Sequence, residues 1–581
     1  MFIYFIKMDP SNQQMPEAPA GPNTNTQGTN NPKLQSVNYV TILPEGKTSG
    51  YKPEQQVDFK IDPVQFPYID GKQSYLLLNV EPTGTFANTS ATANVPLMFV
   101  PNEGANSLVN RLSLRVNDGT GKIIEDRENY NLYNGLMNSY SHDSDVFPAL
   151  AKVEAVTGRT SDPINRTIDN INNTYFYPLP DTATTTNTAT LGNTLLAQNS
   201  FVIPIQLGLF SAFGNQHHAV PNMDIGGCHL TYYLEKANRC LQTLCHKFYN
   251  TQTVNNVDAN VEDAREFTSS VNIEFTSTTE FNVKKTECDC DLAINDVPWD
   301  INMVAWRKGM PLKLGSNNAV ALVDSIEISG GLIKVTLDQA IGAVGDDTIA
   351  PDTISKRDYN ISKIELRCLN TMPDTATMKD IRRSVMRGIN FNSTQVYKIS
   401  TASNLKNAVI DIPESLTKCL SIMAVPCQQA NLESVDSDSS YAYPRPDSVL
   451  NNNDNDYTYQ WQVRQILIPN LAVKTDKLVD TSNDNVIYFN QQLAAQRPMY
   501  DVRSLADHKL NATTNNLDLN LPFFFPILLA PLGSSFDLID SAPQLRVENE
   551  DSANTTAKLY FVFVNHVRMI KGSEAGIDVE F

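Results

Sequence analysis

From about residue 36 onward the dominant rhythm of the chain is an alternation of apolar and polar positions. In Arg111-Leu-Ser-Leu-Arg-Val-Asn117, Leu112, Leu114 and Val116 fall on one face and Arg111, Ser113 and Arg115 on the other. That period of two predicts a half-buried β-strand. The Asp118-Gly-Thr-Gly121 that follows reads as a hairpin turn, because glycine accepts positive φ. The same alternation recurs in Cys228–Glu235, Val271–Phe275, Ile364–Cys368 and Tyr457–Val463. Leu559-Tyr-Phe-Val-Phe-Val-Asn565 is almost wholly apolar, which predicts a strand buried on both faces. Two segments carry helical spacing instead. Asp126–Tyr140 sets Leu132, Leu136 and Tyr140 four apart, with Asp126 as its expected cap. Asp374–Arg387 has Met378, Ile381 and Val385 on one stripe and Gly388 just past its end. This second helix separates two strand-rich halves. Asn- and Thr-rich stretches at 181–199, 249–265, 436–456 and 481–486 are too long for hairpin turns and predict decorations on one side of a β-framework.

The halves echo one another. Phe201-Val-Ile-Pro-Ile-Gln-Leu207 matches Phe523-Phe-Phe-Pro-Ile-Leu-Leu529. An alternating strand follows each, Cys228–Glu235 in the first half and Gln544–Glu548 in the second. Each half then has a last strand, Ile364–Leu369 and Leu559–Met569. A strand tolerates proline only at an edge, a start or a bulge. Pro204 and Pro526 therefore suggest one topological slot used twice.

Composition narrows the function classes. A chain of 581 residues exceeds what one core supports, so at least two globular units are expected. The net charge of -19 repels a nucleic-acid backbone. In the first forty residues Lys7, Lys33, Asp9 and Glu17 cancel, leaving no basic arm to condense a genome. Residues 9–35, rich in Pro, Asn, Gln and Thr, read as a flexible arm. No apolar run reaches the ~18–20 residues of a spanning helix, so no membrane span is expected. The apolar start Met1–Ile6 is too short for a signal sequence, Met8 is a second candidate start, and the protein is expected to be unsecreted. The eight cysteines then read as reduced thiols.

Candidate chemistry is thin. Glu45-Gly46-Lys47-Thr48 resembles the tail of a phosphate-binding loop, but Thr41 stands where the loop needs its first glycine. Asp118-Gly-Thr-Gly-Lys122 lacks the following Ser or Thr. Cys240-x4-Cys245-His246 and Cys288-x-Cys290 offer zinc-ligand types without zinc-site spacing. His217-His218 reads as a polar loop. Asp436-Ser-Asp438 and Asn451–Asp456 are acidic without the pattern of a calcium loop. Gly-x-Ser-x-Gly is absent. No catalytic residue, cofactor or metal ligand is assigned.

Several segments resemble the double jelly-roll major capsid proteins of the adenovirus-hexon lineage, within it those of virophages and Polinton-like viruses. Phe201–Phe210 with Gly226–Leu234 is similar to the late strands of a first roll, and Tyr359–Cys368 to its last strand. Gly388–Phe391, Asn407–Pro413 and Leu420–Val425 are similar to the opening of a second roll. Ile328-Ser-Gly-Gly331 resembles the site preferred by maturation proteases of adenovirus type, although a turn explains it equally. The likeness runs from about 36 to the end, and about 240–355 fits it least, as an insertion.

What the resemblance implies is an all-β, double jelly-roll fold of two eight-stranded antiparallel sandwiches with short helices and long loop insertions. The implied units are an arm at 1–35, a first roll at 36–373, a linking helix at 374–388 and a second roll at 389–581. The implied function is that of a non-enzymatic major capsid protein. Homotrimers of pseudo-hexameric outline would assemble inside the host cell into an icosahedral shell around a DNA genome. Its partners would be neighbouring capsomers, penton and minor capsid proteins, with no sequence-specific nucleic acid binding. Tyr175–Pro178 and Tyr441–Pro444 are candidate contacts between copies. The alternatives are a carbohydrate-binding or host-attachment β-sandwich protein, and a hydrolase whose groups converge from afar.

Overall fold

The structure is a computed structural model. It describes residues 34–86, 97–100, 103–117, 121–141, 153–155, 175–176, 200–210, 220–243, 271–283, 311–329, 332–352, 354–401, 407–412, 416–428, 457–475, 491, 494–495, 524–529, 536–538, 542–549, 558–573 and 576–580.

In chain order the first part holds β1 (Leu34–Ile42), β2 (Gln56–Ile61), β3 (Ile69–Phe86), β4 (Leu97–Phe99), β5 (Val109–Val116), β6 (Ile123–Glu128), helix α1 (Tyr130–Ser141), β7 (Tyr175–Phe176), β8 (Ser200–Pro204), β9 (Cys228–Leu234) and β10 (Leu241–Thr243). Then come β11 (Val271–Phe275), β12 (Glu280–Val283), β13 (Pro311–Leu314), β14 (Val320–Ser329), β15 (Leu332–Leu337), β16 (Gly345–Pro351) and β17 (Ile354–Pro373). Helix α2 (Thr375–Arg387) leads into β18 (Ile389–Ser400), β19 (Asn407–Asp411), β20 (Cys419–Gln428), β21 (Tyr457–Val463), β22 (Ile466–Thr475), β23 (Phe525–Leu528), β24 (Gln544–Asn549), β25 (Lys558–Ser573) and β26 (Gly576–Glu580).

The first sandwich faces the sheet β1-β17-β3-β8 against β2-β9-β5-β6. Numbered by their order within the roll, these strands read 1-8-3-6 and 2-7-4-5. The second sandwich faces β18-β25-β20-β23 against β19-β24-β21-β22, which reads 1-8-3-6 and 2-7-4-5 again. That wrapping of two Greek keys is the jelly roll, so the fold is a double jelly-roll. Pro204 and Pro526 both lie in the sixth strand, at the free edge of the sheet, where no further ladder needs their missing N–H. The other echoing segments coincide as well: β9 and β24 are both seventh strands, and β17 and β25 both eighth.

Each sandwich is filled by its alternating inward residues. Phe59, Leu76, Leu78, Leu112, Leu114, Leu230, Tyr232, Ile364 and Leu366 are buried in the first. Ile410, Ile422, Tyr459, Trp461, Phe525, Leu545, Tyr560 and Val562 fill the second. Between β9 and β17 the chain builds a closed six-stranded barrel, β11-β12-β15-β14-β13-β16, packed on residues such as Phe275, Phe281, Leu312, Val323 and Val335. Short strands β10, β4 and β7 make a third small sheet.

Antiparallel pairing fixes which connections share an end. From one strand end leave the connections 62–68, 117–122 and 205–227 of the first roll and 412–418, 464–465 and 529–543 of the second. From the other leave 87–108, 129–199 and 235–353, with 429–456, 476–524 and 550–557. All the longest connections therefore leave from one end, called here the decorated end. The opposite, plain end carries the start of β1, helix α2 and β26.

Helix α1 differs from expectation, while α2 falls where the sequence placed it. Helix α1 begins at Tyr130, not near Asp126. Asp126 belongs to β6, where it pairs with Arg111 of β5 (Arg111 Nε to Asp126 Oδ1, 2.7 Å), and Asn129 at φ 47° turns the strand into the helix. Ladder pairing of 123–128 with β5 outweighs the capping preference. Helix α2 starts after Asp374, whose carboxylate accepts the Thr377 N–H at 2.7 Å, and its Val385 is buried. Gly388 closes it at φ 106°, in the left-handed half of the map.

Candidate functional site

The largest feature built from side chains of both halves is the junction between the rolls. On the outer face of the sheet β18-β25-β20, cross-strand neighbours Phe561 and Val425, and Phe563 and Met423, form apolar pairs. An outward sheet face ordinarily meets water, yet these four and Leu559 are at most 1 % exposed. Helix α1 of the first roll covers that face: the Tyr133 and Phe563 rings lie 5.4 Å apart. Val385, Ile389, Phe391, Ile570 and Ile577, from the second half and its linking helix, are continuous with the first roll's core. Burying several large apolar side chains contributes on the order of 1.5–3 kcal/mol each, which makes the junction a second core and not a loose hinge.

A polar layer runs through it. Glu125 and Arg127 alternate with Ile124 and Asp126 along β6, and both are buried. The Arg127 guanidinium meets Glu125 at 2.8 Å, donates to the Gln206 carbonyl and stacks 4.5 Å from the Tyr133 ring. The second carboxylate oxygen of Glu125 accepts the Gly208 N–H at 2.6 Å. Gly208 is required there, because a Cβ would collide with the carbonyl oxygen of Asn392 in β18. Across the junction Arg568 is buried too; burial lowers its pKa, while the carboxylates of Glu125 and Asp126 act in the opposite sense. Burial pulls the His566 pKa down to about 4; its contact with the Val564 carbonyl opposes this, and Arg568 and Arg127 add to it. Deeper in the second roll's sheet, Thr394 donates to Asn565 at 2.8 Å, and Asn565 donates to Ser421 at 2.9 Å.

At the plain end two ties cross between the halves. Lys122 Nζ donates to the Ile577 carbonyl at 2.7 Å and meets Asp578 at 2.8 Å. Arg382 of α2 meets Asp224 at 2.9 Å. Both rolls therefore stand with their plain ends together.

The motifs singled out from sequence do not converge. Lys47 donates to the Gly50 carbonyl and lies 4.9 Å from the Tyr51 ring, so it closes its own turn instead of a phosphate cradle. Cys240 is buried in the helical turn Ala237–Cys240, its thiol facing the Ala237 carbonyl; burial pushes that thiol up, and Cys368 up to about 12. Protonated thiols of this kind are poor nucleophiles and poor metal ligands. Among the described residues no three His, Cys, Asp or Glu are grouped to hold a metal ion. No helix among them is long and apolar enough to cross a membrane. Ile328 and Ser329 end β14 of the barrel. Tyr175 and Phe176 form β7. Cys245, His246, Cys288, Cys290, His217, His218, Asp436, Asp438, residues 441–444 and residues 451–456 lie outside the described residues. Sequence reasoning missed the Glu125–Arg127 pair and the role of Lys122. The sequence carries no distinct signal for the pair, since Glu125, Asp126, Arg127 and Glu128 are four charged residues in a row.

No family model matches the chain, and no curated protein matches it. Among solved structures it is similar to the Faustovirus major capsid protein (10 % identity, 94 % of this chain and 92 % of that one, TM-score 0.48). It is also similar to PBCV-1 VP54 fitted into a cryo-EM reconstruction of the virophage Sputnik (10 %, 96 % and 98 %, 0.41). A third is the mavirus major capsid protein (11 %, 98 % and 97 %, 0.35).

Proposed function

We propose that this chain is a major capsid protein: a structural tile that associates with copies of itself as pseudo-hexameric homotrimers and forms an icosahedral shell around a DNA genome. The observation that carries this reading is the fusion of two rolls of one topology, side by side, with their plain ends together. A tile needs two different ends and several lateral faces. Here the longest connections, 129–199, 235–353, 429–456 and 476–524, leave from one end, and α2 and β26 lie at the other. The buried junction makes the pair one rigid lateral unit. The reading places the decorated end outward and the plain end toward the genome. The protein is then a component of the virion, assembled inside the host cell, with penton and minor capsid proteins as further partners. The units follow the sequence reading: an arm at 1–35, a first roll at 36–373 with its insertion, a linking helix at 374–388 and a second roll at 389–581.

Native mass spectrometry and negative-stain imaging of the purified full chain test this. The expected species is three times the 64.5 kDa chain mass, six-lobed in projection and packing into hexagonal arrays at high concentration. A stable monomer at every accessible concentration overturns the proposal.

A further inference from the structure

The two rolls occupy equivalent slots unequally, and the inequality names the surface on which copies meet. Within the chain, the fifth-strand edge of the first roll (β6), with α1, covers the outer face of the second roll's 1-8-3-6 sheet. Glu125 and Arg127 of β6, which face the junction, are at most 2 % exposed. Among the described residues the same two slots recur elsewhere without that cover. The fifth strand of the second roll, β22, ends its sheet and leaves Ile466 60 % and Leu471 83 % exposed. The outer face of the first roll's 1-8-3-6 sheet carries Val37 (44 % exposed) and Tyr39 (56 %) on its edge strand β1. Tyr39 lies 6.4 Å from Tyr75, and half-buried Leu77 and Val202 continue the face. Through its middle runs Lys363–Glu365–Arg367, paired at 3.1 and 2.6 Å. Scattered exposed apolar residues are ordinary on a protein surface. Apolar residues set on the two slots that are buried elsewhere in the same chain are a more specific pattern.

We propose that the β22 edge of one copy, around Ile466 and Leu471, seats on the outer face of β1-β17-β3 of a second copy, around Val37, Tyr39 and Tyr75, repeating between chains the junction made within each chain. The occupant is another copy of this chain because the matching partner slot is on the chain itself, where Ile466 and Leu471 stand exposed among the described residues. Such a contact is heterologous: face and edge are different patches, so each copy offers one of each and successive copies close a ring. This inference rests on the self-assembly reading and assigns its residues. The chemistry of the two junctions also differs. The internal one is apolar around Phe561 and Phe563, whereas the proposed one has an ion-paired strip flanked by tyrosines. That suits a surface that must stay soluble before it is covered.

The test uses the full chain. Tyr39→Asp and Leu471→Asp each change an exposed side chain, so both variants are expected to melt like the wild type. Each is expected to weaken the trimer by roughly 30-fold or more, the loss typical of a central interface residue. In parallel, the double variant Tyr39→Cys/Leu471→Cys is treated with a short bis-maleimide. The expected product is a covalent ladder closing at three chains with 39–471 cross-linked peptides. Wild-type-strength trimers from both aspartate variants, or cross-links only between like positions, overturn this assignment and leave self-assembly standing. A wild type that never leaves the monomer overturns the self-assembly reading and this inference with it.

Discussion

At the scale of single residues, the junction sets how the protein responds to acid. An unfolded histidine titrates near 6.5, while His566 in the fold is held down at about 4 by burial, with Arg568 and Arg127 adding to it against the Val564 carbonyl. The fold thus holds the neutral form. The contribution is fully present above about pH 6.5 and is lost as pH falls from there toward 4. His566→Gln is therefore expected to flatten the fall in melting temperature across that window; a curve parallel to the wild type would refute the role given to His566. Gly208→Ala is expected to cost about 1–3 kcal/mol or more in urea unfolding, since the new methyl meets the backbone of Asn392 and not a flexible side chain. Unchanged stability would mean the rolls are not in contact there. Little of this was legible in the sequence. Residues 123–128 run as two isoleucines followed by four charged side chains, with no alternation to show which face is buried, and that Glu125 and Arg127 face a second roll depends on tertiary placement. Asp126 illustrates the converse: its capping preference was real, and a ladder with β5 overrode it.

Elements were more legible than residues. Period-two patterns located β5, β9 and β21, an almost wholly apolar run located β25, and the paired prolines marked one slot used in both halves, which the structure shows as the sixth strand, because a missing N–H has few places to go in a sheet. Helix α2 was legible from the stripe Met378, Ile381 and Val385 and the glycine past its end, and the structure adds a cap at its start, Asp374. Its contribution is measurable: Asp374→Ala removes the acceptor for the Thr377 N–H and is expected to cost about 1 kcal/mol, whereas Asp374→Ser is expected to retain most of it. Equal loss in both variants would show that the carboxylate acts otherwise than as a cap. The barrel between β9 and β17 was not legible as a barrel. Its strands, such as Pro311–Leu314 and Glu280–Val283, are too short to show a period, and closure depends on β11 pairing with β16, about seventy residues away.

For the whole molecule, the charge and the topology together describe a tile. With a net charge of -19, copies repel one another at long range, and that repulsion is screened within about 10 Å at 0.1 M salt. Association of capsomers into arrays is therefore expected to strengthen as ionic strength rises, read by light scattering; weakening would mean that interchain ion pairs dominate. The sequence echo of three elements showed that the halves repeat one order, and the eight-stranded jelly-roll class followed from the family resemblance. The exposed faces proposed to meet between copies were not readable, since exposure is a property of the folded chain.

The most direct test of the central claim is an experimental density map of the purified particle, resolved well enough to trace strands. The account predicts three chains around a threefold axis, each contributing two rolls ordered 1-8-3-6 and 2-7-4-5, with six similar lobes and all long connections on one side. A map with rolls facing opposite directions within a chain, or with copies related only by twofold axes, would contradict it.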